Sequence, residues 1–150
     1  MTPENGFVEQ RIIEAVRGLL TGRVNELLKK LEFFIPVIEF GDEGSGQTVS
    51  PIITLSACER TEKERIIRQD AYSLNITFTL PETPESGWNC YAYAGALSRA
   101  FYDEPTLGGL VDRAVIVAKK FIEPKKPNCG DGWDLIISVR LTVEGMGNES

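Results

Sequence analysis

The sequence predicts an α+β domain: an antiparallel sheet of four to five strands with two helices packed on one face, in the order α-β-β-β-α-β-β. Three observations carry that prediction. Residues 72–80 and 133–143 alternate apolar and polar side chains with a period of two, the pattern of a strand with one buried face. Residues 7–31 and 87–102 space their apolar side chains three to four apart, the pattern of an amphipathic helix. The connections between strands are short, and short connections make antiparallel neighbours, so the helices are left to form a second layer.

Taken in order, the first helix spans residues 7–31. Val8, Ile12, Val16, Leu20, Val24 and Leu28 recur every four residues, while Ile13, Leu19, Leu27 and Leu31 widen the stripe. Gly18 and Gly22 weaken this helix by up to about 1 kcal/mol each relative to alanine, so it needs a sheet beneath its stripe. Two apolar runs, residues 34–40 and 52–55, flank a polar glycine-rich loop and read as a hairpin-like pair of strands. Pro36 and Pro51 cannot donate to a ladder and belong near an edge or a strand start. Residues 59–65 carry charges of both signs and read as an exposed connection or a self-pairing network.

Tyr72, Leu74, Ile76, Phe78 and Leu80 then form the buried phase of the clearest strand, which Pro81 and Pro84 end. In the second helix, residues 87–102, the stripe is Trp88, Tyr91, Ala94, Leu97 and Phe101, and the small Ala92, Gly95 and Ala96 allow close approach to a sheet. Residues 105–110 are a compact turn, 114–122 a strand and 124–132 a polar connection. Trp133, Leu135, Ile137, Val139, Leu141 and Val143 define the last strand. No internal repeat or linker divides the 150 residues, which read as one domain.

Hydrophobic residues make up 42% and charged residues 25%, ordinary proportions for a chain that buries a core. Histidine is absent, which excludes Ser–His–Asp and Cys–His catalysis and imidazole ligation of metals. The 16 basic against 22 acidic residues leave a net charge of −6, the wrong sign for gripping nucleic acid. Cys58, Cys90 and Cys129 lie far apart and are odd in number, so neither a zinc pair nor a secreted disulfide scaffold is expected, and three reduced thiols are. No apolar run approaches the roughly 20 residues of a membrane span. No signal-peptide pattern is read, so the acceptor patterns Asn75-Ile-Thr77 and Asn148-Glu-Ser150 are taken as chance.

The residues able to carry chemistry are scattered. Glu39, Asp42, Glu43, Asp131 and Asp134 do not spell a calcium loop and read as solvated loop charges. Gly44, Gly46, Gly108 and Gly109 match neither phosphate-binding glycine pattern and read as turn residues needing positive φ. Lys119, Lys120, Lys125 and Lys126 make a small basic patch, solubilising or suited to an acidic partner. Trp88 and Trp133 fall on the apolar phase of their elements and are expected to pack there. Cys90, near a helix start that would favour a thiolate, has no histidine to act as base. The expectation is a structural or interaction protein, neither an enzyme nor a holder of cofactor or metal. Ser73, Asn75, Thr77 and Thr79, the uncharged polar phase of residues 72–80, are the candidate subunit interface.

After that strand and helix comes the stretch Tyr102-Asp-Glu-Pro-Thr-Leu-Gly-Gly-Leu-Val-Asp112, followed by a strand containing Val115 and Val117 and then a final strand. This arrangement resembles the tail terminator (tail completion, minor tail) proteins of tailed bacteriophages and prophages. The turn formed by Pro105, Thr106, Leu107, Gly108, Gly109, Leu110, Val111 and Asp112 is the most specific part of the likeness, and the preceding element order agrees with it. Residues 59–69 and 125–132 stand outside it.

The resemblance implies a virion protein that caps the head-proximal end of the tail tube as a homo-oligomeric ring, usually a hexamer. Such a ring ends tube growth and presents a surface to the head. Its partners would be itself, the tail tube protein and the head–tail connector protein, with assembly in the bacterial cytoplasm and no membrane. DNA would pass through without specific binding. Asp42 and Glu43 are candidate lumen-facing acids, because a negative ring repels phosphate and lets the duplex slide. Two other readings stay open on the sequence: another head–tail joining component, and a small ligand-binding or enzymatic α+β domain.

Overall fold

In chain order the elements are α1 (Val8–Leu19), a π-helical turn (Leu20–Val24), α2 (Asn25–Lys29), β1 (Val37–Ile38), β2 (Thr48–Val49), β3 (Ile52–Glu62), β4 (Ile67–Leu80), α3 (Ser86–Asp103), β5 (Arg113–Ile122) and β6 (Trp133–Met146). The structure is a computed structural model and describes residues 7–41, 48–62, 67–81, 83–125 and 132–146. The main sheet has four strands in the order β3-β4-β6-β5, every neighbouring pair antiparallel. The fold is therefore α+β, with the antiparallel sheet that the alternating segments predict.

The sheet's two long central strands follow directly from their sequences. Tyr72, Leu74, Ile76, Phe78 and Leu80 of β4 are all buried, as are Leu135, Ile137, Val139 and Leu141 of β6. Their register puts Leu74 opposite Val139 and Ile76 opposite Ile137, so one continuous apolar face forms. The helices bury Ile12, Val16, Leu20, Val24 and Leu28 on one side and Cys90, Tyr93, Leu97 and Phe101 on the other into a single core with that face. Burying a leucine- or isoleucine-sized side chain is worth about 1.5–3 kcal/mol, which offsets the glycines in the first helix.

The first helix is continuous from residue 8 to 29 but is interrupted by the π-helical turn. Its apolar side chains recur every four residues, and at 3.6 residues per turn such a stripe drifts by about 40° at each step. A wider turn absorbs part of this drift and keeps Leu20, Val24 and Leu28 over the sheet. Side chains hold the loosened turn: the Thr21 hydroxyl donates to the Arg17 carbonyl at 3.0 Å, and Asn25 Nδ2 to the Thr21 carbonyl at 3.3 Å.

Three expectations need correction. Residues 34–40 and 52–55 do not pair with each other. Val37 and Ile38 pair in parallel with Thr48 and Val49, a strand too short for periodicity to reveal. The strand beginning at Ile52 runs on to Glu62 against β4, so Glu59–Glu62 of the charged stretch is ladder rather than connection. The charges are compatible with a strand because β3 is an edge, exposed along most of its length. Pro36 and Pro51 do sit where they were expected, each just before a strand start.

The third correction concerns the rotation of α3. Trp88 and Tyr91, which the spacing places on the buried stripe, are 60% and 53% exposed. The buried line is Cys90, Tyr93, Ala94, Leu97, Ala100 and Phe101. Aromatics occupy both phases of this helix, and Tyr93 wins the core because its hydroxyl finds a partner. It donates to the Pro36 carbonyl at 2.6 Å while its ring stacks on Phe78, centroids 4.8 Å apart. Trp133 packs at its element's end as expected: a Cβ on Gly87 would fall 2.9 Å from its Cζ2.

Candidate subunit interface

The face of the sheet away from the helices carries the out-of-core phase of every strand. Across its middle, register aligns Ile52, Thr77, Ile136 and Lys120 in one row and Thr54, Asn75, Ser138 and Ala118 in the next. A third row is Ala57, Ser73, Arg140 and Val115. Ser73, Asn75 and Thr77 are half-buried among their neighbours, and Thr79 at the strand end is exposed. The structure therefore brings the four predicted residues together on one uncovered surface.

Within this face the Ser138 hydroxyl donates to Asn75 Oδ1 at 2.9 Å, and the Ser56 hydroxyl to the Ser73 carbonyl at 3.3 Å. Small uncharged side chains that satisfy one another across strands make a flat surface with little desolvation penalty on contact. Sequence reading missed the apolar contributors Ile52, Ile136, Val115 and Ala118. The signal was present in the off-phase of the last strand, where Ile136 breaks the polar alternation.

The turn from Pro105 to Asp112 leads into β5 beside Thr142, next along from the third row, and buries Leu107 and Val111 in the core rather than adding them to this face. Leu107 (φ 50°), Gly108 (φ 72°) and Gly109 (φ 90°) are consecutive left-handed residues. The two glycines meet the expectation of positive φ, whereas Leu107 adopts it at a cost of roughly 1–2 kcal/mol. Its side chain is buried in the core with Val111, which offsets the strain. The turn is pinned from both flanks: the Ala114 N–H donates to the Pro105 carbonyl at 2.7 Å, and the Asp112 N–H to the Thr142 carbonyl at 2.8 Å. The Asp112 carboxylate accepts from the Glu144 N–H at 2.7 Å. Thus this turn is a structural joint between α3, β5 and β6.

A second surface was not foreseen. Phe33 and Trp88 are in contact with centroids 5.8 Å apart, and Tyr91 and Phe121 with centroids 5.2 Å apart. Beside them lies an open groove of about 410 Å³ lined by Leu27, Leu31, Phe33, Trp88 and Tyr91, with Arg99 at its rim. Contiguous exposed aromatics of this kind characterise interaction surfaces.

The remaining candidates resolve individually. Asp42, Glu43, Gly44, Gly46, Lys126, Cys129 and Asp131 lie outside the described residues. Cys58 is exposed on β3 and Cys90 fully buried, and both are free thiols. Burial, with the Asp134 charge adding to it, pushes the Cys90 thiol up to about 11, the reverse of the activation a helix start could provide. Burial likewise raises Tyr72, whose hydroxyl donates to Glu9 Oε2 at 2.7 Å. Among the described residues, no cluster of three or more Cys, Asp or Glu could hold a metal ion, and no helix is long and apolar enough to cross a membrane. Compared with models of protein families and with curated proteins, the chain matches none.

Proposed function

We infer that this protein is a structural component of a bacteriophage or prophage tail, which caps the head-proximal end of the tail tube as a ring and ends tube growth. The observation that carries the reading is the uncovered sheet face, with Ser73, Asn75 and Thr77 half-buried at its centre. A two-layer domain whose sheet has one bare face, with small uncharged side chains along its β4 row, is incomplete as an isolated globule and fits assembly with further subunits. The resemblance of residues 102–112 to tail terminators supplies the identity of the assembly. The net charge of −6 agrees with a ring that conducts DNA without holding it. Tube and connector proteins would be the neighbours along the tail axis.

Deletion of the gene in its phage or prophage, followed by electron microscopy of the particles, tests the reading. Tails that overshoot their normal length are the expected result. Normal-length tails beside filled, unattached heads would assign the protein to head-side joining instead. Unaltered particles would remove it from the virion.

A further inference from the structure

The two open edges of the sheet differ in direction and in charge, and we propose that they join copies of this chain: β5 of one copy pairs antiparallel with β3 of the next, making one continuous sheet around a closed ring. This deepens the ring reading above by naming the contact that closes it.

Direction comes first. β3, β4, β6 and β5 alternate in direction, so β3 and β5 run opposite ways. A copy set beside β5 in the same orientation presents its β3 antiparallel to it, with the helix layers continuing on one side. Identical orientation with unlike surfaces in contact is the heterologous geometry that rings require.

Charge comes second. β5 carries Arg113, Lys119 and Lys120, all exposed, and no acid. β3 carries exposed Glu59 and Glu62, and its one cation, Arg60, is already held by Asp70 through contacts of 2.7 and 3.2 Å. Phase agrees as well as sign. Lys120 and Glu59 both lie on the bare face, in register with Ile136 and Ala71; Lys119 and Glu62 both lie on the helix side, in register with Ile137 and Arg68. When Lys119 faces Glu62 directly, Lys120 and Glu59 are diagonal neighbours, within reach of long side chains, and Arg60 faces Phe121 rather than a cation. Charged edges ordinarily keep strands apart. Here β5 repels β5 and β3 repels β3, so the charges reject two-fold dimers and select the unlike pair.

Apolar surface comes third. α3 packs over β5 and β6, and its Tyr91 meets Phe121 on the β5 edge, so the exposed aromatics overhang that edge. α1 packs beside β3 at the opposite edge. Edge pairing brings the neighbour's α1 against Tyr91 and Trp88 and covers them.

The test is analytical ultracentrifugation of the full chain at low salt, up to millimolar concentration. The unmodified chain should form one closed oligomer that salt dissociates. Lys119→Glu with Lys120→Glu, and separately Glu59→Lys with Glu62→Lys, should each give folded monomers by circular dichroism. The two monomeric variants should assemble when mixed, and the chain carrying all four reversals should assemble alone. An unmodified chain that stays monomeric throughout overturns the proposal, as does an oligomer that survives reversal of one edge. Loss of the oligomer in Thr77→Arg but not in the edge variants also overturns it and assigns subunit contact to the bare face. Failure of the tail reading is seen separately, as normal tail length in the deletion.

Discussion

Asn25 clamps Ile38 through both of its backbone groups: Asn25 Nδ2 donates to the Ile38 carbonyl at 2.8 Å, and the Ile38 N–H donates to Asn25 Oδ1 at 2.7 Å. The side chain acts as a one-residue strand partner inside the molecule, joining the first helix to the two-residue strand β1. Asn25 is buried, so the pairing is shielded from water. Asn25→Leu should destabilise the protein by about 2–4 kcal/mol, since the N–H and carbonyl of Ile38 both lose their partner. Urea denaturation measures this, and a loss below about 0.5 kcal/mol would show that water reaches Ile38.

Two glycines should respond in opposite ways to alanine. A Cβ on Gly132 would lie 1.9 Å from the backbone carbonyl oxygen of Leu80, so Gly132→Ala must part β6 from β4. Gly18 has open space at the same position within a helix. Gly18→Ala should raise stability by about 0.4–1 kcal/mol, and Gly132→Ala should lower it by more than that gain. Thermal melts of the two variants check the contrast.

Thiol reagents should separate the cysteines. In a Cys129→Ser background, exposed Cys58 should react at once and buried Cys90 only on unfolding. The Cys90 thiol, held up to about 11, should stay silent in the native protein at alkaline pH well past the ordinary cysteine range. A second fast thiol in the native protein would contradict the packing of α3.

Asp103 sets a pH dependence. Hydrogen bonds from Arg23, at 2.9 and 3.2 Å, and from Arg99 hold its carboxyl below the usual carboxylate range. A depressed folded-state value means that the stabilisation is complete above the unfolded value, near 3.8, and is lost as pH falls through the folded one. The stability difference between the unmodified chain and Asp103→Asn should therefore be constant at neutral pH and vanish in acid. A difference that grows on acidification would reverse the sign and refute the pairing.

Thr77 sits between Ile52 and Ile136 at the middle of the bare face. Thr77→Arg should cost about 1 kcal/mol or less in stability, because the face is open. It should nevertheless fail to restore normal tail length in a deletion background, by particle imaging. Full complementation would show that this face meets nothing.

The long elements were legible because their length lets periodicity speak. Residues 72–80 and 133–143 alternate over enough positions that the buried row could be named side chain by side chain. The partner of residues 37–38 was not legible, since Thr48–Val49 is two residues long and parallel pairing leaves no local signature. The phase of α3 failed where Trp88 and Tyr91 compete with Cys90 and Tyr93, a choice decided by the distant Pro36 carbonyl. Of the candidate site, the row Ser73, Asn75, Thr77 and Thr79 was readable from one strand. Its apolar companions came from three other strands, and only register reveals them.

β6 follows every other element in sequence yet lies between β4 and β5 in space. Neither neighbour can satisfy its inner ladder until β6 arrives, so collapse of the earlier segments yields the β3–β4 pair and a lone β5, both with unpaired backbone. Closing the sheet means threading a late strand into a waiting slot, a step of high sequence separation that makes refolding slow, on the scale of about milliseconds to seconds. During that interval the vacant slot is the position most exposed to capture by a strand from another chain.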